Sequence, residues 1–360
     1  MRLLVVTEIP APFRIPGFNA LADQPDVELD VVVLSEHDPR RRYAVDPSAY
    51  RFGYHVLRSI DLTARGRWLA LSFGLRRVFR RTRPDLVIVG GWNQPAFWQA
   101  LVAARRRRIP AVLWVESTAR DARASGGPAA AIRNAAVRAA SGFVVPGRAS
   151  GEYLQSLGVD RAAIAIAPNA IEHGVVRPPA KRSGDDGFTV LYVGRLEREK
   201  GPDVLVQAMR EAPGTLVVVG DGSLRAELEH DAPPGRVRFV GHAARDELGR
   251  WYGEADAFVL PSRSDTWGMV LNEAAGAGLP LVASEVAGAA YDLVDEGVNG
   301  YRVPPEDPHA IAEALTRIEA APGWRATAAA RSRELAAGYT PEAWAEGVAS
   351  LARTLGQRNG

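Results

Sequence analysis

The sequence predicts an α/β protein built as two parallel-sheet domains in series. Three observations carry this. The chain has 360 residues, beyond the roughly 250 to 300 at which a single hydrophobic core stops growing. Short β-branched runs alternate with helical stretches, the rhythm of βαβ units whose strands are buried on both faces. The rhythm pauses at 173–187 (HGVVRPPAKRSGDDG), which is rich in Pro, Gly and charge and has no apolar periodicity.

In order, strands are expected at 3–7 (LLVVT), 27–35 (VELDVVVLS), 85–90 (DLVIVG), 111–116 (AVLWVE) and 142–146 (GFVVP). The stretch 64–83 (ARGRWLALSFGLRRVFRRTR) sets Trp68, Leu71, Leu75, Val78 and Phe79 on one side of a helix among arginines. A stripe buried in the core is preferred for it, with an amphipathic helix on anionic lipid as the other use. Arg105 to Arg108 close a helix where cations suit the dipole. After the pause, strands return at 188–194, 215–220, 237–241, 256–261 and 280–284. The last helix starts at Thr340 as N-cap with Pro341 at its first position, and Trp344, Val348 and Leu351 share a face. The expected organisation is a first domain over 1–172, a linker over 173–187, a second domain over 188–338, and a helix over 339–360 that packs back toward the first domain. Ligands of open parallel sheets bind beyond the carboxyl ends of the strands, so the active site is expected in the cleft between the two.

The composition is that of an ordinary soluble globular protein, and the absence of cysteine excludes disulfides, thiolate zinc sites and a cysteine nucleophile. The apolar run at the N-terminus is broken by Glu8 and Pro10, and no later segment approaches a membrane span, so the expected location is the cytoplasm. Charge is split between the halves. Residues 1–177 hold 25 Arg and no Lys against 15 acids, while the rest hold 19 basic against 27 acidic residues. The split fits an anionic acceptor or an anionic membrane at the inner face for the first half, or arginines decorating wet helices.

The chemistry concentrates in two strand-to-helix junctions of the second half. After the strand ending at Val193, GRLEREKG places Gly194 at a turn, Arg195 at its tip and Lys200 before a helix. Such a pair suits a diphosphate, Arg195 bidentately and Lys200 as a point charge. The second junction, PSRSDTWGMVLNEAAGAGLPLVAS, turns through Gly268 into a helix from Met269 to about Ala277, whose first amides can bind a phosphate. Glu273 lies one turn inside that helix, on the side able to meet a ribose. Asp265 precedes the turn, placed to accept from sugar hydroxyls. In the first half, Trp92 and Asn93 at the end of the strand over 85–90 face the cleft and line an acceptor pocket in this reading.

The second half resembles retaining glycosyltransferases of family 4: YVGRLEREKG, VVVGDG, VRFVGH, PSRSDTWGMVLNEAAGAGLPLVAS and GVNGYRVPPED fall in the order and spacing of that family, over nearly all of 188–318. The resemblance implies a GT-B fold, a nucleoside-diphosphate-sugar donor, no bound metal, and transfer with retention by front-face attack assisted by the leaving phosphate. By position it gives Arg195 and Lys200 the donor diphosphate and Glu273 the ribose, as the second acid of an E-x7-E pattern whose first acid is Asp265 here. Met269 and Val270 offer amides, Gly268 admits the phosphate, and Gly194 and Gly241 complete the donor side. The first half departs from the family. The loop EIPAPFRIPGFNALA lacks the paired glycine, leaving Phe13 and Arg14 as acceptor-side candidates and Gly17 as its flexible point. Glu116 stands where many members have a histidine, and is a candidate to bind a sugar hydroxyl or take the acceptor's proton.

The expected partners are therefore the donor and an acceptor saccharide or small molecule, with no nucleic acid and no cofactor. His37, His55, His173, His230, His242 and His309 show no metal-ligand spacing. Gly220-Asp221-Gly222 reads as a turn after a strand, and no G-x-G-x-x-G follows the first strand, against a nicotinamide enzyme. Two other readings keep the fold: a nucleotide-sugar epimerase or phosphorylase, and a non-catalytic nucleotide-sugar-binding subunit.

Overall fold

The computed structural model describes residues 1–36, 46–64, 67–120, 126–171 and 187–357. The linker expected at 173–187 thus lies, apart from Gly187, outside the described residues, as do His37 and His173. The first domain runs β1 (Arg2–Thr7), α1 (Ile15–Ala22), β2 (Glu28–Val33), β3 (Gly53–Val56), β4 (Arg58–Ala64), β5 (Arg67–Phe73), α2 (Leu75–Thr82), β6 (Leu86–Val89), α3 (Pro95–Arg107), β7 (Ala111–Trp114), α4 (Gly127–Ala139), β8 (Gly142–Val145), α5 (Arg148–Ser156) and β9 (Ile164–Ile166). The second runs β10 (Thr189–Val193), α6 (Pro202–Ala208), β11 (Thr215–Val219), α7 (Arg225–Asp231), β12 (Val237–Gly241), α8 (Arg245–Glu254), β13 (Ala257–Leu260), α9 (Met269–Ala277), β14 (Leu281–Ser284), α10 (Ala290–Leu293), β15 (Gly300–Val303), α11 (Pro308–Glu319) and α12 (Pro322–Ala336). Then comes α13 (Pro341–Gln357).

Both main sheets are wholly parallel, ordered β3-β2-β1-β6-β7-β8-β9 and β12-β11-β10-β13-β14-β15. In each, strand order reverses beside the first strand, so crevices open past the carboxyl ends of β1 and β6 and of β10 and β13. Each sheet is covered on both faces. Phe97 and Leu101 of α3 pack on one side of the first sheet, Phe18 of α1 and Trp344 of α13 on the other. In the second sheet the two layers are led by Tyr252 and Leu271, and by Leu205 and Ile311. Among the described residues no helix is long and apolar enough to cross a membrane.

The chain crosses back to its first domain through α13. Thr340 Oγ1 accepts from the Ala343 N–H at 3.1 Å and caps the helix. Trp344 then sets its ring 5.5 Å from Phe18 and 5.2 Å from Trp114. At the crossing, Asn272 donates to the Asn169 carbonyl at 3.0 Å and accepts from Trp267 Nε1 at 2.8 Å, all of it buried.

Two sequence expectations need correction. The stretch 64–83 is not one helix: β4 and β5 form an antiparallel hairpin, with Ile60 opposite Leu71 and Arg58 opposite Phe73, and only Leu75–Thr82 is helical. Gly74, at φ 99°, makes the turn between strand and helix. Gly17 is not a flexible loop point either. It lies inside α1, buried, where a Cβ would come within 3.0 Å of the Trp344 ring.

Candidate active site

The residues expected on the donor side lie past the ends of β10 and β13. The buried Tyr192 hydroxyl donates to the Arg195 carbonyl at 2.8 Å and fixes the turn after Gly194. Burial pushes that phenol well above its usual range. The neighbouring strand must come close here: a Cβ on Gly220 would sit 1.9 Å from the Gly194 carbonyl oxygen. Arg198–Lys200 then form a single 3-10 turn closed by Gly201, which adopts φ 65°. A Cβ on Gly201 would meet the Pro261 carbonyl oxygen at 2.1 Å. Only glycine allows the two junctions to abut at this point.

That approach brings Lys200 to Asp265 across 65 positions of sequence, Nζ to Oδ2 at 2.7 Å, with both side chains mostly buried. The second junction is tied to the first by its backbone as well, since Arg263 and Ser264 donate to the Glu199 carbonyl at 2.9 and 3.2 Å. Arg263 clamps Asp203 with two 2.7 Å bonds. Hydrogen bonding to Asp203 raises the Arg263 pKa further above its already high value. Arg195, more exposed, pairs with Glu199. Gly268, at φ 98°, is the N-cap of α9, so Met269 and Val270 occupy its first turn. Glu273 is oriented by the Tyr252 hydroxyl, which donates to Oε2 at 2.7 Å. Tyr252 is fully buried, and burial followed by the Glu273 charge lifts its pKa far above normal. Gly241 ends β12, and its carbonyl accepts from the Gly220 N–H at 2.8 Å.

On the first domain, Arg14 spans the ends of β1 and β7. It donates to Thr7 Oγ1 at 3.2 Å and to Glu116 Oε1 at 3.1 Å, with its guanidinium 4.2 Å over the Trp114 ring and 5.6 Å from that of Phe13. Asn93 donates to Glu8 Oε1 at 2.6 Å, and the buried Gln94 donates to the same oxygen at 3.0 Å. The Trp92 carbonyl accepts from Trp98 Nε1 at 3.0 Å. The loop carrying Glu116 approaches the second domain two residues later, where a Cβ on Gly288 would lie 3.5 Å from Thr118 Cγ2.

The structure thus gathers Arg195, Lys200, Asp265, Gly268 and Glu273 at one crevice, and Arg14, Glu116, Asn93 and Trp92 at the other. Among the described residues no hydrogen bond or ion pair links Arg14, Glu116 or Asn93 to Arg195, Lys200 or Asp265. Sequence reasoning missed Glu8, Tyr192, Tyr252 and Arg263. Glu8, directly after an apolar strand, was the legible one of these. Among the described residues no three metal-ligating side chains come together.

Comparisons with known proteins place these features. A model described as glycosyl transferase 4-like domain matches residues 19–170, and one described as glycosyl transferases group 1 matches 187–320. A D-inositol 3-phosphate glycosyltransferase of Xylanimonas cellulosilytica is 33% identical over 60% of this chain and 56% of its own. One from Frankia alni is 36% identical over 45% and 44%, and a glycogen synthase of Mycobacterium tuberculosis 35% over 51% and 46%. The chain therefore spans about half the length of the curated relatives it matches. Solved structures agree over nearly the whole fold. Sucrose-phosphate synthase of Thermosynechococcus elongatus superposes with TM-score 0.75 at 20% identity, covering 99% of this chain and all of that one. The lipopolysaccharide outer core galactosyltransferase WaaB gives TM-score 0.75 at 17% identity over 99% and 100%. With glycosyl transferase models matched in both halves and two parallel sheets arranged as in these GT-B structures, the chain belongs to the glycosyltransferases of family 4.

Proposed function

We propose that the chain transfers a glycosyl group from a nucleoside-diphosphate sugar to a hydroxyl of a saccharide or small-molecule acceptor, with retention at the anomeric carbon and without a metal. The observation that carries the donor side is the 2.7 Å approach of Lys200 to Asp265, beside Arg195 and the start of α9. A cation and an acid held against each other can divide the donor between them, Lys200 on the diphosphate and Asp265 on the sugar hydroxyls. Arg195 exchanges Glu199 for phosphate oxygens, and the first amides of α9 receive the rest of the anion. Glu273, held by Tyr252, takes the ribose hydroxyls.

In the reaction the acceptor oxygen bonds to the anomeric carbon on the face the diphosphate leaves. The carbon–oxygen bond to phosphate breaks, its electrons stay on the leaving group, and a phosphate oxygen takes the acceptor's proton. Negative charge grows on the diphosphate, where Arg195 and Lys200 stabilise it more in the transition state than in the ground state. Glu116, pinned by Arg14, and Asn93, on Glu8, are placed to orient the acceptor.

The test is turnover by the isolated chain. UDP-sugars come first, because the fold neighbour Anabaena Alr3699/HepE was solved with UDP and glucose, at TM-score 0.73 and 18% identity over 100% of this chain and 99% of that one. GDP-, ADP- and dTDP-sugars follow, each with EDTA present. Release of a nucleoside diphosphate, with an α-linked product from an α-donor by NMR, is expected. Release from no donor, or inverted product, discards the proposal.

A further inference from the structure

The β4–β5 hairpin is two-sided. Trp68, Ala70 and Ser72 point inward and are buried, while Ile60, Leu62, Leu71 and Phe73 are 57, 46, 36 and 58% exposed. Ile60 and Leu71 are direct cross-strand partners, so these four side chains share the outer face of the hairpin. Helix α2 begins two residues after Phe73 and carries Arg76, Arg77, Arg80 and Arg81 exposed, none of them in an ion pair among the described residues. Arg107, at the end of α3, lies over the Phe79 ring of α2, which adds a fifth arginine beside this helix.

From this face we infer that the first domain docks on an anionic lipid surface, with the four apolar side chains entering the interface and the arginines of α2 meeting the headgroups. Apolar groups beside unpaired cations match the layering of such a surface, apolar within and negative at the boundary. A second copy of this chain fits worse, because stacking two such faces sets arginine against arginine. The inner face adds a reason for the placement. The Ala70 N–H donates to Gln94 Oε1 at 3.0 Å, and Gln94 donates to Glu8 and to the Trp68 carbonyl. The docked hairpin is thereby bonded directly to the Glu8–Asn93 corner of the cleft, so an acceptor carried in the lipid would reach that corner.

The experiment is co-sedimentation of the full chain with extruded vesicles, of phosphatidylcholine alone or with about one third phosphatidylglycerol, across a salt series. Two variants are compared with wild type, Ile60→Ser/Phe73→Ser and Arg76→Glu/Arg77→Glu, with far-UV circular dichroism and the unfolding midpoint as checks on folding. Binding to the anionic vesicles at low salt is expected, lost with added salt and on neutral vesicles, and lowered by about tenfold or more in each variant. Should the serine pair unfold, the arginine pair, which alters only exposed side chains, decides. Absence of wild-type binding at low salt, or variants that bind like wild type, overturns the inference. A lipid-free dimer that the serine pair abolishes also overturns it, and assigns the face to a second copy. Nucleotide-sugar turnover is read separately, so failure here leaves the proposed reaction standing.

Discussion

Asp292 of the second domain caps helix α5 of the first: its carboxylate oxygens accept from the Arg148 N–H at 3.1 and 3.3 Å. The N-cap of α5 is Gly147, which has no side chain to do this. A Cβ there would come within 2.5 Å of Asp292 Oδ2, so glycine makes room for a cap supplied across the domain boundary. Removing it in Asp292→Ala should cost about 1 kcal/mol in urea unfolding, the ordinary worth of a cap, and raise the radius of gyration by X-ray scattering. Unchanged values on both would show that the contact does not hold the domains.

The same carboxylate predicts an unusual pH dependence. Burial raises the Asp292 pKa, against the opposing pull of the Arg148 backbone and side chain. The stability tied to its neutral form is present below the ordinary carboxylate range and is lost as the pH rises through the elevated value. Asp292→Asn keeps an acceptor for Arg148 and cannot ionise. Its stability relative to wild type should therefore rise between about pH 4 and pH 7. A difference that stays flat or falls over that range would contradict the assignment.

Lys200→Ala should lower kcat by about 10²- to 10³-fold, with the unfolding midpoint little changed. Asp265→Asn should lose less, since it retains a hydrogen-bonding side chain beside Lys200. Because the two touch, the double variant should cost clearly less than the product of the single effects. Multiplicative losses would mean that the 2.7 Å contact is not the working geometry.

Tyr252→Phe removes one buried hydroxyl, 2.7 Å from Glu273. Loss of that bond should weaken nucleoside diphosphate binding by about five- to tenfold, roughly 1 to 1.5 kcal/mol, with a smaller effect on kcat. Calorimetric titration checks this, and an unaltered Kd would remove Tyr252 from the ribose side.

The strands of both sheets were legible because burial on both faces makes them near-continuous apolar runs, as in VVV over 31–33 and VLY over 190–192. The hairpin was not, for the same reason in reverse. Trp68, Ala70 and Ser72 face inward, yet Leu69, Leu71 and Phe73 on the outer side are apolar too, so no period of two was visible. Strands β3, β9 and β15 lie at sheet edges and are only partly buried, so their runs GYHV, IAI and GYRV lack the continuous apolar signal of the equally short central strands. At the site, the strand-to-helix junctions at Gly194 and Gly268 could be read from local turn chemistry. The pairings could not. Tyr252 reaches Glu273, and Asp292 reaches Arg148, from elements whose own sequence gives no sign of the partner.

Trp344 is where the last helix is keyed to the first domain, and it tests that arrangement most directly. Its ring is 4% exposed, meets Phe18 and Trp114, and fills the space that Gly17 leaves open. Trp344→Ala should cost about 3 to 5 kcal/mol. It should also impair turnover, because Trp114 is the platform under Arg14, and Arg14 holds Glu116. Trp344→Phe should be much milder, since it keeps most of the contact and removes a buried indole N–H that has no partner. Guanidinium unfolding and donor turnover on both variants separate the two effects. If the alanine variant unfolds within about 1 kcal/mol of wild type, α13 is not anchored through Trp344, and the route from Trp344 to Glu116 goes with it.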